Sequence, residues 1–513
     1  MTIGQFLSSF SFEEGKIENP EEEVRGLVFD SRRVQPGYVF FALPGSNTDG
    51  HFYIEEAIKR GATLVVLEKK EFVPPPQVKV SWVLVPEGRK ALALASSFFY
   101  GDPSSSLRVM GVTGTNGKTT TCFFLRAIWE KSGFPCGLLT TARNIIGPKE
   151  EEAINTTEES LSLYRHLYEM QKMGIKNAVV EVSSHALALR RVEGIKFDSA
   201  LVTNLIPEHM EFHRTFEHYF ASKRKLLQMV EENLSKSYPR VVVVNGDDEN
   251  CLKMRKGIGV PSLIYGLNKE AEIRGENITC SLQQSSFLVK SPWGKMEVVI
   301  HFPGIHNVYN ALSAISLALF YGLDINDIQE ALFQVHHIPG RWELVEAGQD
   351  FTVIVDFAHN WHGLEKSLSI IRDLTPGKVI TVFGCGGERD RSKRPFIGET
   401  VARFSDVCIV TTDNPRGESP EQTAFDALEG VKRAAKNKDL HFEVILDRED
   451  AIRQALELAQ KGDTVFLAGK GPERFQVYGG KAIPHNDHYI AWKILKEKKN
   501  EVLSSRNSRN YSS

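Results

Sequence analysis

The chain has 513 residues, of which 42% are hydrophobic and 25% charged, so several domains of an ordinary globular protein are expected. Its formal net charge of −3 argues against a general nucleic-acid-binding surface and against a polybasic membrane surface. No apolar run reaches the roughly 20 residues that a membrane-spanning helix needs, and the N-terminus lacks the pattern of a signal peptide. With six scattered cysteines and no C-x-x-C pair, we predict a cytoplasmic protein with reduced thiols.

Strand and helix signals alternate along the chain in three blocks. The first block contains YVFFAL and TLVVLE around the helical stretch YIEEAIKRGA, and it ends at the turn-rich segment YGDPSSS. The second contains NAVVEV, SALVTN and RVVVVN, and the third contains TVIVDF, VITVFG, VCIVTT and TVFLAG. Apolar strands alternating with helices predict an α/β fold with parallel sheets covered on both faces. We predict domains over residues 1–103, 104–338 and 339–495, followed by a disordered polar tail over 496–513.

The segment GVTGTNGKTTT, residues 111–121, has the composition of a glycine-rich loop between a strand and a helix. Such a loop presents backbone N–H groups and the positive end of a helix dipole to phosphate. Lys118 would neutralise the β- and γ-phosphates, and the Thr119 hydroxyl would hold Mg²⁺. The usual G-x-x-x-x-G-K-T spacing requires glycine at position 112, where Val112 stands. From these residues alone, a glycine-rich turn with an incidental lysine is an equal alternative.

Three residues after later strands could complete a metal and phosphate site. Glu181 ends the run NAVVE, and a carboxylate at a strand end can bind Mg²⁺ directly or through water. His209 follows the strand SALV, and Lys223 lies in the helical stretch HYFASKRKLL. Each also has an ordinary interpretation: an exposed acid, a surface or core histidine, and a solvated helix lysine.

The string GTNGKTTT, together with T-N-x-x-x-E-H-x-x-x-H and A-x-K-x-x-L, resembles the Mur ligase family, and the resemblance extends over residues 24–490. It implies a central ATPase-like parallel sheet with a phosphate loop and a C-terminal Rossmann-like domain. It also implies that ATP contacts Gly114, Thr115, Asn116, Gly117, Lys118, Thr119, Thr120, Asn307, Asn310, Arg341 and Asp356. Two Mg²⁺ sites would involve Thr119, Glu181, His209 and Lys223, the last as a carbamate. The catalytic residues would be Lys118, Lys223 and His209.

Two further segments resemble the substrate-binding parts of the family member that adds the third amino acid. DSRRVQPGYVFFALPGSNTDGH resembles its uridine-nucleotide site, with the turn over residues 45–51 facing the nucleotide, and INTTEES resembles its N-T-T-P segment with Glu158 in place of proline. The implied partner is UDP-N-acetylmuramoyl-L-alanyl-D-glutamate. Its predicted contacts are Ser31, Asn155, Thr156, Thr157, Ser183 and Arg191.

The third block carries the choice of amino acid. VFGCGGERDRSKRP and TTDNPRGESP resemble the family's acceptor site, and D-N-P-R is associated there with meso-diaminopimelate. Diaminopimelate has a distal carboxylate, which Arg416 could bind in a bidentate pair supplemented by Asn414, while Glu473 could take the distal ammonium. From the residues alone, Asp-Asn-Pro is also an ordinary turn. The predicted acceptor-binding residues are Arg389, Asp413, Asn414, Arg416, Gly469 and Glu473.

The resemblance therefore implies an ATP-dependent amide ligase of peptidoglycan precursor synthesis that acts through an acyl phosphate, and we expect a monomer. The alternatives are lysine as acceptor, another ligation step of the family, or a non-enzymatic nucleotide switch. D-N-P-R and the N-T-T segment count against the first two. Departures from the family pattern include Asn360, Trp361 and His362 for Thr-Pro-Asp, and Pro472 for histidine.

Overall fold

The computed structural model describes residues 1–45, 48–153, 155–234, 238–436 and 438–510, with side chains described up to Lys499. Two compact units are present. Unit 1 comprises Met1–Glu276, Val289–Met296 and Tyr309–Leu332. Unit 2 comprises Asn277–Leu288, Glu297–Val308 and Phe333–Ser513.

The first sheet of unit 1 has five strands in the order β1-β5-β4-β3-β2, parallel except for the β1–β5 pair. Its strands are β1 (Glu14–Lys16), β2 (Gly26–Val28), β3 (Tyr38–Phe41), β4 (Ala62–Leu67) and β5 (Ser81–Leu84). The accompanying helices are α1 (Ile3–Phe6), α2 (Ile54–Lys59) and α3 (Gly88–Phe99). Every residue of β4 is buried, as expected for a parallel strand covered on both faces. The strands predicted at YVFFAL and TLVVLE are confirmed.

The second sheet has eleven strands in the order β16-β15-β14-β13-β12-β11-β6-β10-β7-β8-β9. They are β6 (Arg108–Thr113), β7 (Cys136–Leu139), β8 (Asn144–Ile146), β9 (Lys149–Glu151), β10 (Asn177–Glu181), β11 (Ser199–Val202), β12 (Val241–Asn245), β13 (Ser262–Gly266), β14 (Ile273–Cys280), β15 (Ser285–Ser291) and β16 (Gly294–Ile300). The helices in this part of the chain are α4 (Lys118–Lys131), α5 (Ser160–Lys172), α6 (Ser184–Ala188), α7 (Met210–His213), α8 (Phe216–Glu232), α9 (Glu249–Arg255), α10 (Ile305–Phe320) and α11 (Ile325–Gln334).

The position of β6 explains where the candidate site forms. β6 lies between β10 and β11 and is parallel to both, so the carboxyl ends of these three strands meet at one edge of the sheet. The phosphate loop follows β6, Glu181 is the last residue of β10, and the segment from Thr203 onward follows β11.

The sheet of unit 2 has six strands in the order β17-β18-β22-β19-β20-β21, parallel except for the β17–β18 pair. Its strands are β17 (Glu343–Leu344), β18 (Thr352–Asp356), β19 (Val379–Phe383), β20 (Val407–Val410), β21 (His441–Val444) and β22 (Thr464–Ala468), followed by the antiparallel hairpin β23 (Phe475–Tyr478) and β24 (Lys481–Pro484). The helices are α12 (Trp361–Leu374), α13 (Arg394–Phe404), α14 (Pro420–Ala435), α15 (Arg448–Leu458) and α16 (Asp487–Asn510). Short 3₁₀ turns lie at Leu7–Ser9, Ser31–Arg33, Gly50–Tyr53, Lys70–Phe72, Pro103–Ser105 and Arg391–Lys393.

The α/β fold class predicted from the sequence is confirmed, and the four apolar runs of the third block are β18, β19, β20 and β22. The C-terminus differs from expectation, because α16 continues to Asn510 where the sequence predicts a disordered tail after residue 495. The first part of this stretch, KEKKNE at residues 496–501, is rich in lysine and glutamate, which are good helix formers. The predicted domain boundaries at residues 103 and 338 stay predictions. Within the described residues, no helix has the length and apolarity needed to cross a membrane.

Candidate active site

The phosphate loop begins two residues later than the usual spacing requires. Val112 lies inside β6, fully buried and paired with Glu181 on one side and Leu201 on the other, so the strand continues where a glycine was expected. The chain turns at Gly114 (φ 142°) and again at Gly117 (φ 85°), the residue before α4. A Cβ on Gly117 would lie 2.1 Å from Asn310 Oδ1. The glycines therefore stand where the backbone conformation and the close packing require them.

Replacing Gly117 with alanine is expected to abolish measurable ATP binding, because the added methyl would displace either Asn310 or the loop. Gly133 provides a matched control, since its φ is 81° and a Cβ there would meet nothing within 4 Å. Gly133→Ala should cost only the strain of a left-handed alanine, about 1–2 kcal/mol of unfolding free energy, with ATP affinity unchanged. Calorimetric titration with ATP and thermal unfolding of both variants check this; equal affinities would contradict the packing argument.

The loop itself is held by a hydrogen-bond network. The Thr115 hydroxyl lies 2.8 Å from Tyr219 OH, and the Asn116 amide donates to Asn204 Oδ1 at 3.0 Å. Lys118 Nζ donates to the Thr115 carbonyl at 2.8 Å. Thr119 and Thr120 are buried in the first turn of α4, whose backbone N–H groups face the loop end. A glycine-rich loop that leads from a buried strand into a helix N-terminus is the arrangement found in phosphate-loop nucleotide-binding proteins, and the fold and this site are of that class.

An oxygen pair suited to Mg²⁺ lies beside the loop. Thr119 Oγ1 donates to Glu181 Oε2 at 2.9 Å, and Glu181, at the end of β10, is 2% exposed. Hydroxyl and carboxylate oxygens are the ligand type that Mg²⁺ prefers, so the residues present fit the metal. Nowhere in the described ranges do three His, Cys, Asp or Glu side chains gather as a ready-made metal site.

Lys223 is a buried lysine beside the phosphate loop. It lies on α8, is 2% exposed, and donates from Nζ to the Gly114 carbonyl at 2.6 Å. Burial lowers the pKa of Lys223 well below its usual range, and the nearby Lys118 charge lowers it further. A neutral amine is the form that can react with carbon dioxide. The interpretation as a solvated helix lysine is therefore wrong.

His209 lies at the start of α7, with a left-handed backbone of φ 58°. Burial lowers the pKa of its imidazole, against the opposing effect of Glu208 and Glu211. Its ring centroid is 4.8 Å from that of His185. A neutral imidazole is the form that binds metal, so the environment is compatible with the predicted role.

Thr157 anchors the N-T-T segment, which is predicted to bind the UDP-dipeptide substrate. Its Oγ1 donates to the Glu181 carbonyl at 2.8 Å, and its carbonyl accepts from Arg191 at 2.8 Å. The Ser183 amide donates to Thr157 Oγ1 at 3.0 Å. These residues therefore cluster beside Glu181, with Thr156 half-buried and Asn155 exposed next to them.

Ser31 lies elsewhere in unit 1. It is buried, and its hydroxyl donates to Glu56 Oε2 at 2.9 Å. Ser46 and Asn47 of the predicted uridine-nucleotide turn, and Ile154 at the start of the N-T-T segment, lie outside the described residues.

Of the other predicted ATP contacts, Asn307, Asn310 and Asp356 are buried, and Arg341 is half-buried. Asn310 packs against the phosphate loop within unit 1. In unit 2, Asn307 donates to the Pro303 carbonyl at 2.9 Å, and Asp356 accepts from the Trp342 and Ala358 amides at 2.9 Å each. Burial raises the pKa of Asp356, opposed by the charge of Arg341.

Unit 2 brings the predicted acceptor-binding residues together. A Cβ on Gly386 would lie 3.7 Å from Arg389 Cγ and 3.9 Å from Arg416 Nη1, so both guanidinium side chains flank this glycine. Asn414 Nδ2 donates to Glu473 Oε2 at 2.7 Å.

Gly469 and Asp413 form the buried floor of the same cluster. A Cβ on Gly469, at φ 107°, would lie 2.9 Å from Asp413 Oδ2. Burial raises the pKa of Asp413, opposed by the charge of Lys470.

Two features of this cluster were not predicted from the sequence. Lys470 is fully buried among the acceptor-binding residues, and the hairpin β23–β24 binds their loop, with the Arg416 amide donating to the Val477 carbonyl at 2.9 Å. One signal in the sequence could have indicated the burial of Lys470. It directly follows the apolar run TVFLAG, where a solvated side chain is not expected.

Comparison with known proteins agrees with this architecture. Residues 23–100 match the model of the Mur ligase family catalytic domain, 112–318 that of the Mur ligase middle domain, and 340–471 that of the Mur ligase glutamate ligase domain. A UDP-N-acetylmuramoyl-L-alanyl-D-glutamate–2,6-diaminopimelate ligase of Caldanaerobacter subterraneus subsp. tengcongensis is 40% identical over 479 residues, 93% of this chain and 96% of that protein. The protein of the same name from Solibacter usitatus is 40% identical over 97% of this chain and 98% of its own length.

A solved structure of a ligase with this name has a TM-score of 0.66 and 29% identity, covering 97% of this chain and all of its own. The chain belongs to the Mur ligase family, as the sequence resemblance implied, and it is an ATP-dependent ligase.

Proposed function

We propose that the chain adds meso-diaminopimelate to UDP-N-acetylmuramoyl-L-alanyl-D-glutamate in the cytoplasm, with ATP converted to ADP and phosphate. The full-length relatives named as 2,6-diaminopimelate ligases support this function. The observation that carries the choice of acceptor is the grouping of Arg389, Arg416, Asn414 and Glu473 in unit 2.

In the first step, the free carboxylate of the D-glutamyl residue attacks the γ-phosphorus of ATP. A carboxylate O–P bond forms, the bond from γ-phosphorus to the bridging oxygen breaks, and ADP leaves. The loop N–H groups hold the phosphate oxygens, and Lys118 neutralises the charge that develops on them.

In the second step, the amine of diaminopimelate attacks the acyl carbon. The C–N bond forms, the amine loses a proton, and phosphate leaves as the acyl C–O bond breaks. The acceptor-site residues orient the amine, so that positioning supplies much of the rate.

Thr119, Glu181, His209 and Lys223, the last as a carbamate, are proposed to hold two Mg²⁺. When bound, these ions neutralise phosphate charge. Carbamylation would turn the buried side chain of Lys223 into an anion, and a negative charge is what a metal site requires.

Arg416 provides the test of the acceptor. Arg416→Met should raise the KM for diaminopimelate by about 100-fold, since the charge partner of the distal carboxylate is lost, while the KM values for ATP and the UDP-dipeptide stay unchanged. Arg433→Met, at an exposed arginine of α14, is the control. Phosphate release under varied diaminopimelate measures both variants, and an unchanged KM for Arg416→Met would reject diaminopimelate binding at this site.

A further inference from the structure

Lys470 occupies the centre of the acceptor-binding cluster without facing solvent. Its side chain is 0% exposed, and it lies two residues past the end of β22 at Ala468. Nζ donates to Asn414 Oδ1 at 2.9 Å, to Glu473 Oε2 at 2.5 Å and to the Phe475 carbonyl at 2.5 Å. An ammonium has three N–H donors, and these three acceptors use all of them.

The contacts of Lys470 fix the orientation of the Asn414 amide. Asn414 Oδ1 accepts from Lys470 and also from the Val477 amide at 3.0 Å. Asn414 Oδ1 therefore points toward Lys470 and Val477. Nδ2 points toward Glu473 and donates to its Oε2 at 2.7 Å. A flipped amide would set Nδ2 against two donors.

The same ammonium compensates the charge of Glu473. The Glu473 side chain is 38% exposed, while its Oε2 is held by Lys470 and Asn414. Arg416 belongs to the D-N-P-R loop, which the hairpin β23–β24 holds in place, and its Nη1 donates to the Gly387 carbonyl at 2.6 Å. A carboxylate compensated in this way can bind an ammonium without repelling a carboxylate bound beside it.

We propose that Lys470 is a positioning residue that sets the preference for an acceptor with both an ammonium and a carboxylate at its distal end. It acts through Asn414 and Glu473 rather than by contact with the acceptor. The proposal rests on the proposed function, because it assumes diaminopimelate as the natural acceptor.

The test compares four enzymes: the unaltered chain, Lys470→Met, Glu473→Gln and the double variant. Lys470→Met should raise the KM for diaminopimelate by about tenfold or more, because Glu473 is left with an uncompensated charge. The ratio of kcat/KM for diaminopimelate over lysine should fall, because lysine has no distal carboxylate for Glu473 to repel. The KM for ATP should stay unchanged.

The double variant separates positioning from general support of the fold. Once Glu473→Gln has removed the carboxylate there is no charge to compensate, and the Val477 amide still holds Asn414 Oδ1. Adding Lys470→Met should therefore change the KM for diaminopimelate by less than about threefold. Lys470→Gln, which keeps N–H donors but no charge, gives the same comparison if the methionine variant does not fold. Lys481→Met, at an exposed lysine of β24, is the control.

Either of two results overturns the proposal: an unchanged acceptor ratio in Lys470→Met and Lys470→Gln, or a KM effect that persists in full with Glu473→Gln. Failure of the unaltered chain to use diaminopimelate at all would instead reject the proposed function, so the two failures are distinguishable.

Discussion

Lys223→Ala is expected to lower the rate of ligation by about 10³-fold or more, since it removes a charge-stabilising group at the phosphate loop. The side chain is buried, and its Nζ donates to the Gly114 carbonyl at the turn of the phosphate loop. The low pKa of Lys223 makes the neutral amine available for carbamylation. The loss should appear in steady-state phosphate release with the UDP-dipeptide and diaminopimelate present.

Rescue distinguishes the carbamate from a purely structural lysine. If the anion is what the site needs, millimolar formate or acetate should restore part of the activity of Lys223→Ala, because a small carboxylate can occupy the vacated space. Lys225→Ala, two residues further along α8, is the control and should retain normal turnover. Unchanged turnover in Lys223→Ala, or a loss that no carboxylate rescues, would contradict the carbamate assignment.

Lys118→Ala is expected to reduce kcat by about 10²- to 10³-fold, because the charge that develops on the γ-phosphoryl group loses its cation. Lys118 is half-buried at the first position of α4, with Nζ held at the Thr115 carbonyl and free to exchange that partner for a phosphate oxygen. The KM for diaminopimelate should change little, since this lysine is not among the acceptor-binding residues.

The matched control for Lys118 lies at the other end of the same helix. Lys131 forms an ion pair with Glu330 at 2.6 Å, and Lys131→Ala should leave kcat unchanged. Single-turnover measurement of ADP formation isolates the phosphoryl-transfer step. A Lys118→Ala enzyme that forms ADP at the normal rate would exclude the lysine from that step.

The strands and the phosphate loop were predictable because their determinants are local. Apolar runs such as TVFLAG match buried parallel strands, and Gly117 precedes a helix in a conformation that disfavours other residues. Val112 was misleading, because it breaks the usual spacing of a phosphate-loop motif. The general motif assumes that the loop starts earlier, whereas here β6 stays paired on both sides through that residue.

Burial and charge compensation could not be predicted from the sequence, because they depend on residues distant along the chain. Lys223 contacts a carbonyl 109 positions away, and Lys470 meets Asn414 56 positions away. The contacts of Glu158, which stands in place of the proline of the family's N-T-T-P segment, were equally unpredictable from the sequence. Its carboxylate accepts from Asn144 at 2.9 Å and lies 3.1 Å from His166 Nε2, so Glu158 belongs to a buried hydrogen-bond network.

A comparison of candidate amines identifies the acceptor. Phosphate release and product mass are measured with ATP, Mg²⁺ and UDP-N-acetylmuramoyl-L-alanyl-D-glutamate, adding in turn meso-diaminopimelate, lysine, D-alanyl-D-alanine or no amine. We expect sustained release only with diaminopimelate, and a product heavier than the UDP-dipeptide by the mass of diaminopimelate minus one water. Release with lysine at equal or greater efficiency would contradict the acceptor, and no release with any amine would contradict the ligase.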